Sequence, residues 1–258
     1  MTALTQTQEK LHLHPYELRH VPALAPFDWL AKAWSDLLQH PAASLAYGAL
    51  ITLFGGLLLG YPRHPFVVAG LITGFMLVGP VLAAGLCALS RARSEGLPQG
   101  FEHSLRTLHE SRRPLLRFAG LLAALALAWF AVSSLLLQQF FGSVGPSLSH
   151  TLMGDVLRHI EPMQLVAYTA IGGALAAAVF VLSAVTVPLI LDRNARVRNA
   201  MLTSVKSVLA ADLPAMLVWA CLCVLLIALA FATFLLGMVV IFPLLGHATW
   251  YAYLDLVK

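Results

Sequence analysis

The constraint that most limits this chain is a stretch without any Asp, Glu, Lys or Arg from residue 213 to residue 254. A helix rises about 1.5 Å per residue, so the stretch is roughly twice as long as a hydrocarbon core is thick. It therefore predicts two membrane crossings, with a turn near Gly237. Backbone polar groups inside a bilayer must be satisfied within the segment, so the crossings are expected to be helices. Composition agrees: 59% of the 258 residues are hydrophobic and 11% charged, too few charges to cover a water-soluble surface.

Other apolar runs predict four more spans, at about residues 41–60, 66–90, 115–141 (with Arg117 at its cytoplasmic edge) and 163–191. The expected architecture is all-α, a polytopic membrane protein of six transmembrane helices with amphipathic interfacial helices. It is one domain over residues 26–258, preceded by a flexible cytoplasmic tail, 1–25. The tail has no apolar core, so it is not a cleaved signal peptide. His12, His14 and His20 could bind a metal if the tail is extended, but no Cys or carboxylate sits at ligand spacing, and a solvated tail is the plainer reading.

Three polar segments carry helical periodicity. In 27–38, Phe27, Leu30, Ala31, Trp34, Leu37 and Leu38 form the apolar side, while Asp28, Lys32, Ser35, Asp36 and Gln39 take the other. Such a helix fits either the membrane interface or a protein neighbour. In 95–113 the stripe is Phe101, Leu105 and Leu108. In 196–212 it is Leu202, Val205, Val208 and Leu209, with Arg198, Ser204 and Lys206 polar. Pro41, Pro114 and Pro214 close the three segments.

Basic residues set the orientation. With both termini in the cytoplasm, only Arg63 and Arg158 of the sixteen Lys and Arg face outward, as the positive-inside rule requires. The basic pI near 9.2 follows from these loops, and no nucleic-acid partner is implied. The order amphipathic helix, Pro, span, turn, Pro-bearing span recurs three times, over residues 26–95, 96–194 and 195–258. Pro80, Pro188 and Pro243 align in it, which predicts a parallel internal repeat with the prolines on a shared axis. Small-residue pairs (Gly56 with Gly60, Gly70 with Gly74) permit close helix approach.

Chemistry is sparse. His247 is the one deep ionisable group, one turn beyond Pro243; it could relay a proton, bind a metal, or bond a backbone carbonyl that a proline frees, the last being favoured. Asp192 beside Arg193 reads as a local interfacial ion pair. Ser183 and Thr186 can bond carbonyls near Pro188, and Trp250, Tyr251 and Tyr253 fit an interfacial aromatic belt. Cys221 and Cys223 point about 200° apart on a helix and cannot readily share one ion. No triad order, H-E-x-x-H, P-loop or dinucleotide fingerprint is present, so no catalytic residue, cofactor or metal is expected.

Several motifs together carry a resemblance. They are Gly79-Pro80, Ser90-Arg91, Glu95-Gly96, the run Pro188 to Arg193, Ala200, Ser204, Trp219, Gly237, and Pro243-Leu244-Leu245-Gly246-His247-Ala248-Thr249-Trp250-Tyr251-Ala252-Tyr253. They resemble the DUF2189 family of predicted bacterial inner-membrane proteins. The resemblance implies six spans in a bacterial inner membrane and transfers no catalytic residues. A haem–copper subunit would need several intramembrane His, and His247 stands by itself. The expected function is a non-enzymatic scaffold or accessory subunit that contacts the lipid bilayer and a membrane-protein partner or a second copy. The alternative is a small-solute permease lined by the Pro-interrupted helices.

Overall fold

A computed structural model describes residues 16–39, 41–59, 78–97, 100–141 and 161–258. The second span before Val78 (with Gly70 and Gly74), Gly60, Arg63, Arg158, His12, His14 and the loop at 142–160 lie outside the described residues. The helices in order are α1 (Ala25–Gln39), α2 (Pro41–Leu59), α3 (Ala84–Ser94), α4 (Phe101–Glu110), α5 (Arg112–Phe141), α6 (Pro162–Ser183), α7 (Thr186–Arg193), α8 (Val197–Lys206), α9 (Leu213–Ala232) and α10 (Met238–Leu256). A π-helical turn, Ser207–Ala211, joins α8 towards α9.

Among the described residues, four helices are long and apolar enough to cross a membrane: α5 over Arg112–Leu136, α6 continued by α7, α9 and α10. The pair α1 and α2 makes a fifth candidate, bent by 106° at its break. That near-right angle suits an interfacial α1 leading into a crossing α2. Pro114 and Pro214 fall in the first turns of α5 and α9, where a missing N–H breaks no helical hydrogen bond. The turn between α9 and α10 occupies residues 233–237, with Phe234 and Leu235 at positive φ.

The hub of the fold is α10. It packs most extensively against α1 and α2 and also meets α3, α7 and α9. Trp29, Trp250, Tyr253, Phe118, Leu189 and Ile190 are fully buried around it. Trp29 meets Trp219 edge to face, ring centroids 5.8 Å apart. Trp250 and Tyr253 are therefore core residues, not the lipid-facing belt expected from their place near the chain end.

Close approach uses other glycines than the expected Gly56. A Cβ on Gly48 would lie 2.1 Å from the Val239 carbonyl oxygen, whereas one on Gly56 meets nothing within 4 Å among the described residues. Pro243 lacks the N–H that would bond Val239 in a helix, so a free carbonyl packs onto a bare Cα.

The structure decides which side of each amphipathic segment meets the protein, which the sequence reading left open. α1 buries Trp29, Ala33, Asp36 and Leu37, while Phe27 (52%) and Leu38 (60%) stand exposed with Trp34. α4 buries Ser104 and Thr107 and exposes Phe101 and Leu105. α8 buries Ala200, Thr203 and Ser204 and exposes Leu202. Each helix thus buries small polar groups or an acid and leaves large apolar side chains exposed beside charged ones such as Lys32, Arg106 and Lys206. That pattern costs free energy in water and stabilises a helix bedded at a lipid interface. Periodicity located the apolar stripes; it could not say which side met the protein.

The fourth span is broken at Ala184–Val185, four and three residues before Pro188. Ser204 spans the gap, accepting from the Val185 N–H at 3.4 Å and donating to the Val181 carbonyl at 2.7 Å. Ser183 and Thr186 bond the Val179 and Leu182 carbonyls, as expected. Replacing Ser204 by Ala strands buried backbone groups and is expected to cost about 1–2 kcal/mol, read from unfolding in detergent. An unchanged transition would remove Ser204 as the support of the break.

The tail is tied down from Tyr16 onward. Leu18 bridges Val257 antiparallel, and the Lys258 N–H donates to the Glu17 carbonyl at 2.9 Å. His20 Nδ1 and the Val21 N–H both reach Asp212. The stretch from Tyr16 to residue 25 is thus part of the packed body, because its backbone finds an exposed partner strand-like segment at the other chain end.

Candidate functional site

Helical spacing assembles the polar groups of α3 and α10 into two neighbouring clusters. Ser90 and Arg93, three apart on α3, face α1; Arg91 and Glu95, four apart, turn towards α7. His247 and Tyr251, four apart on α10, face α1.

In the first cluster Asp36 is 5% exposed, and Ser44, Ser90 and His247 are 1% exposed each. The Tyr251 hydroxyl donates to Asp36 Oδ1 at 2.8 Å, and the Arg93 guanidinium pairs with the same oxygen. Ser90 Oγ donates to Asp36 Oδ2 at 2.5 Å and lies 2.7 Å from His247 Nδ1. Ser44 Oγ lies 2.9 Å from His247 Nε2. Asp36 Oδ2 and His247 Nδ1 are 3.9 Å apart. The result is an unbroken chain, Ser44–His247–Ser90–Asp36, drawn from four helices.

Hydrogen counting fixes the roles. A serine hydroxyl carries one hydrogen, and that of Ser90 is given to the carboxylate. The Ser90–His247 contact therefore needs the proton on Nδ1. In a neutral ring Nε2 then accepts from Ser44. A buried carboxylate is tolerated because Arg93 neutralises it and three donors saturate it.

The second cluster centres on Asp192. Tyr253 donates to Asp192 Oδ2, Arg91 Nε stands 3.5 Å from Oδ1, and Arg193 Nε stands 3.7 Å from Oδ2. Arg91 also donates to the Leu191 carbonyl, and Arg193 donates to the Lys258 carbonyl at 2.8 Å. Asp192 is thus a junction of α3, α7 and α10, where a local pair with Arg193 was expected. Tyr253→Phe removes a buried charge-assisted hydrogen bond and is expected to cost about 1.5–3 kcal/mol of stability. A thermal melt of the detergent-solubilised variant checks this.

His247 departs from expectation in two ways. It bonds two serines, with the Leu86 backbone, not a proline-freed carbonyl near Pro243, also facing the ring, and a carboxylate stands close by. Helical period put Asp36 on the polar side of its segment, with Asp28, Lys32, Ser35 and Gln39. The spacing Trp29, Ala33, Asp36, Leu37 was the available signal that an acid sits within a buried face. Pro80, Pro188 and Pro243 take no part in either cluster, yet their elements converge: α3, which follows Pro80, meets α7 and α10, and α7 and α10 meet each other. Among the described residues no group of three or more His, Cys, Asp or Glu could hold a metal ion. Cys221 is exposed and Cys223 partly buried, both as free thiols.

Residues 67–192 match the family model described as "Predicted integral membrane protein (DUF2189)". No curated protein and no solved structure matches the chain. The matched part holds Ser90, Arg91, Arg93 and Asp192; their partners Asp36, His247, Tyr251 and Tyr253 lie outside it.

Proposed function

Since residues 67–192 match the model of the DUF2189 family of predicted integral membrane proteins, we propose that the chain is a non-enzymatic membrane scaffold or accessory subunit. The carrying observation is the large apolar residues that α1, α4 and α8 leave exposed beside their charged ones. Asp36, Ser104 and Ser204 are held by contacts inside the protein, while Phe27, Trp34, Phe101, Leu105 and Leu202 are left outward. Those faces offer a partner's membrane helices an apolar surface.

The same reading takes the protein as six-spanning, in a bacterial inner membrane, with both termini cytoplasmic. The Leu18–Val257 bridge supports an even number of crossings, because it holds the two chain ends on one side. Five candidate spans then require one more, through the stretch that ends in α3. The pairwise meeting of α3, α7 and α10 supports the three-unit repeat.

Photo-crosslinkers placed at Phe27, Trp34 and Phe101 in native membranes are expected to capture one stoichiometric membrane protein. Recovery of lipid and self-contacts alone would defeat the scaffold reading. A second reading, a small-solute permease, draws on the broken α6–α7 span and the convergent Pro-bearing elements. It requires solute flux into proteoliposomes above that of empty liposomes.

A further inference from the structure

We propose that Asp36, Ser90, His247 and Ser44 form a proton-binding site in which a proton taken up at Ser44 is relayed through the imidazole and Ser90 to the carboxylate. Ser44 and His247 stand at the distance of a nucleophile and its base. Yet each is 1% exposed, so no acyl or phosphoryl group reaches the hydroxyl. A proton is the ligand that fits a closed chain of hydrogen bonds.

The chain has two self-consistent directions. In the first, Nδ1–H donates to Ser90, Ser90 donates to ionised Asp36, and Ser44 donates to Nε2. In the second every bond is reversed. Passing between them, Ser44 gives its proton to Nε2 and takes a replacement from solvent hydronium when the first turn of α2, which holds Ser44, opens locally. Nδ1 gives its proton to Ser90, and Ser90 gives its own to Asp36 Oδ2. O–H and N–H bonds alone are made and broken. One solvent proton ends as the carboxylic acid proton of Asp36. The ring is neutral before and after, changed from the Nδ1–H to the Nε2–H tautomer.

The links of 2.5 and 2.7 Å at Ser90 are short enough for concerted transfer through one hydroxyl. The groups that face the pair are Lys32 and Ser35 from α1, Ser44 from α2, Cys87 and Arg93 from α3, and Tyr251 from α10. Arg91, Asp192, Arg193 and Tyr253 form the adjoining cluster. Arg93 and Tyr251 favour the ionised carboxylate, so proton uptake removes the counter-ion that ties α1 to α3.

The test uses the full chain in nanodiscs of phosphatidylethanolamine and phosphatidylglycerol, labelled with ¹⁵N-histidine and ¹³C-aspartate. The His247 and Asp36 signals are assigned by their loss in His247→Gln and Asp36→Asn. The proposal expects a tautomer change at His247 and a protonation change at Asp36 with one shared pH midpoint. Ser90→Ala is expected to split the midpoints by about one pH unit or more, and Ser90→Thr, which keeps a hydroxyl, to restore the shared one. Separate wild-type midpoints would overturn it, as would two groups that do not change across the carboxylate and imidazole range, or a shared midpoint that survives in Ser90→Ala. If Ser90→Ala does not fold, the wild-type pair of titrations decides by itself. A purely structural network predicts no tautomer change.

Discussion

Asp36→Ala is expected to lower stability by about 3–5 kcal/mol, the range for breaking one side of a buried ion pair. The Arg93 guanidinium is a quarter exposed and recovers part of its hydration, which places the loss near about 3 kcal/mol. The Tyr251 and Ser90 hydroxyls lose their acceptor at the same time. The expected phenotype is loosening of α1 from α3 and α10, visible as a lowered unfolding midpoint in a detergent titration followed by Trp fluorescence. Trp29 and Trp250 lie in that contact and report on it. Asp36→Asn keeps one acceptor oxygen, enough for one of the two hydroxyls, and should retain more of the stability than Ala. An Asp36→Ala protein within about 1 kcal/mol of the wild type would show that the buried pair contributes little beyond its own desolvation.

Gly48→Ala is the second large effect, with Gly56→Ala as its control on the same helix. Replacing Gly by Ala in a helix normally gains about 1 kcal/mol from backbone entropy. At Gly56 the added methyl meets nothing within 4 Å among the described residues, so that gain should appear undiminished. At Gly48 it would stand 2.1 Å from the Val239 oxygen and 2.7 Å from its carbon. Both atoms are backbone, held in α10, and no rotamer change moves them. Overpacking of this kind costs about 3 kcal/mol or more where the neighbour cannot shift. The two variants should therefore move in opposite directions in size-exclusion and thermal assays. A stabilised Gly48→Ala would mean that α2 and α10 are not held at this distance.

The helices and their approximate ends were legible in the sequence. Uncharged runs beside Pro and Arg mark segments that must satisfy their own backbone, and α5, α6, α9 and α10 follow them closely. The turn at 233–237 fell where Gly237 placed it. Inside the membrane-facing region the usual guide, apolar in and polar out, loses its sign, because lipid is as apolar as the protein core. That is why the period shows the stripes of Phe101, Leu105 and Leu202 but not that Ser104, Thr107, Thr203 and Ser204 are the residues buried beside them. The same loss of sign hid Asp36 and moved Trp250 and Tyr253 from a lipid belt into the core.

His247 shows the division most plainly. Its depth in the last apolar stretch, and its standing as an ionisable group there, follow from the order of residues alone. Its partners do not. Ser44, Ser90 and Asp36 lie 203, 157 and more than 200 residues away along the chain, on three other helices. Local sequence determined that the chain is helical, membrane-embedded and poor in buried charge, because hydropathy and helical period act over neighbouring residues. Only tertiary packing decided which buried hydroxyls and which carboxylate meet the imidazole, because hydrogen bonds between helices depend on the facing and depth of each helix, which no local pattern encodes.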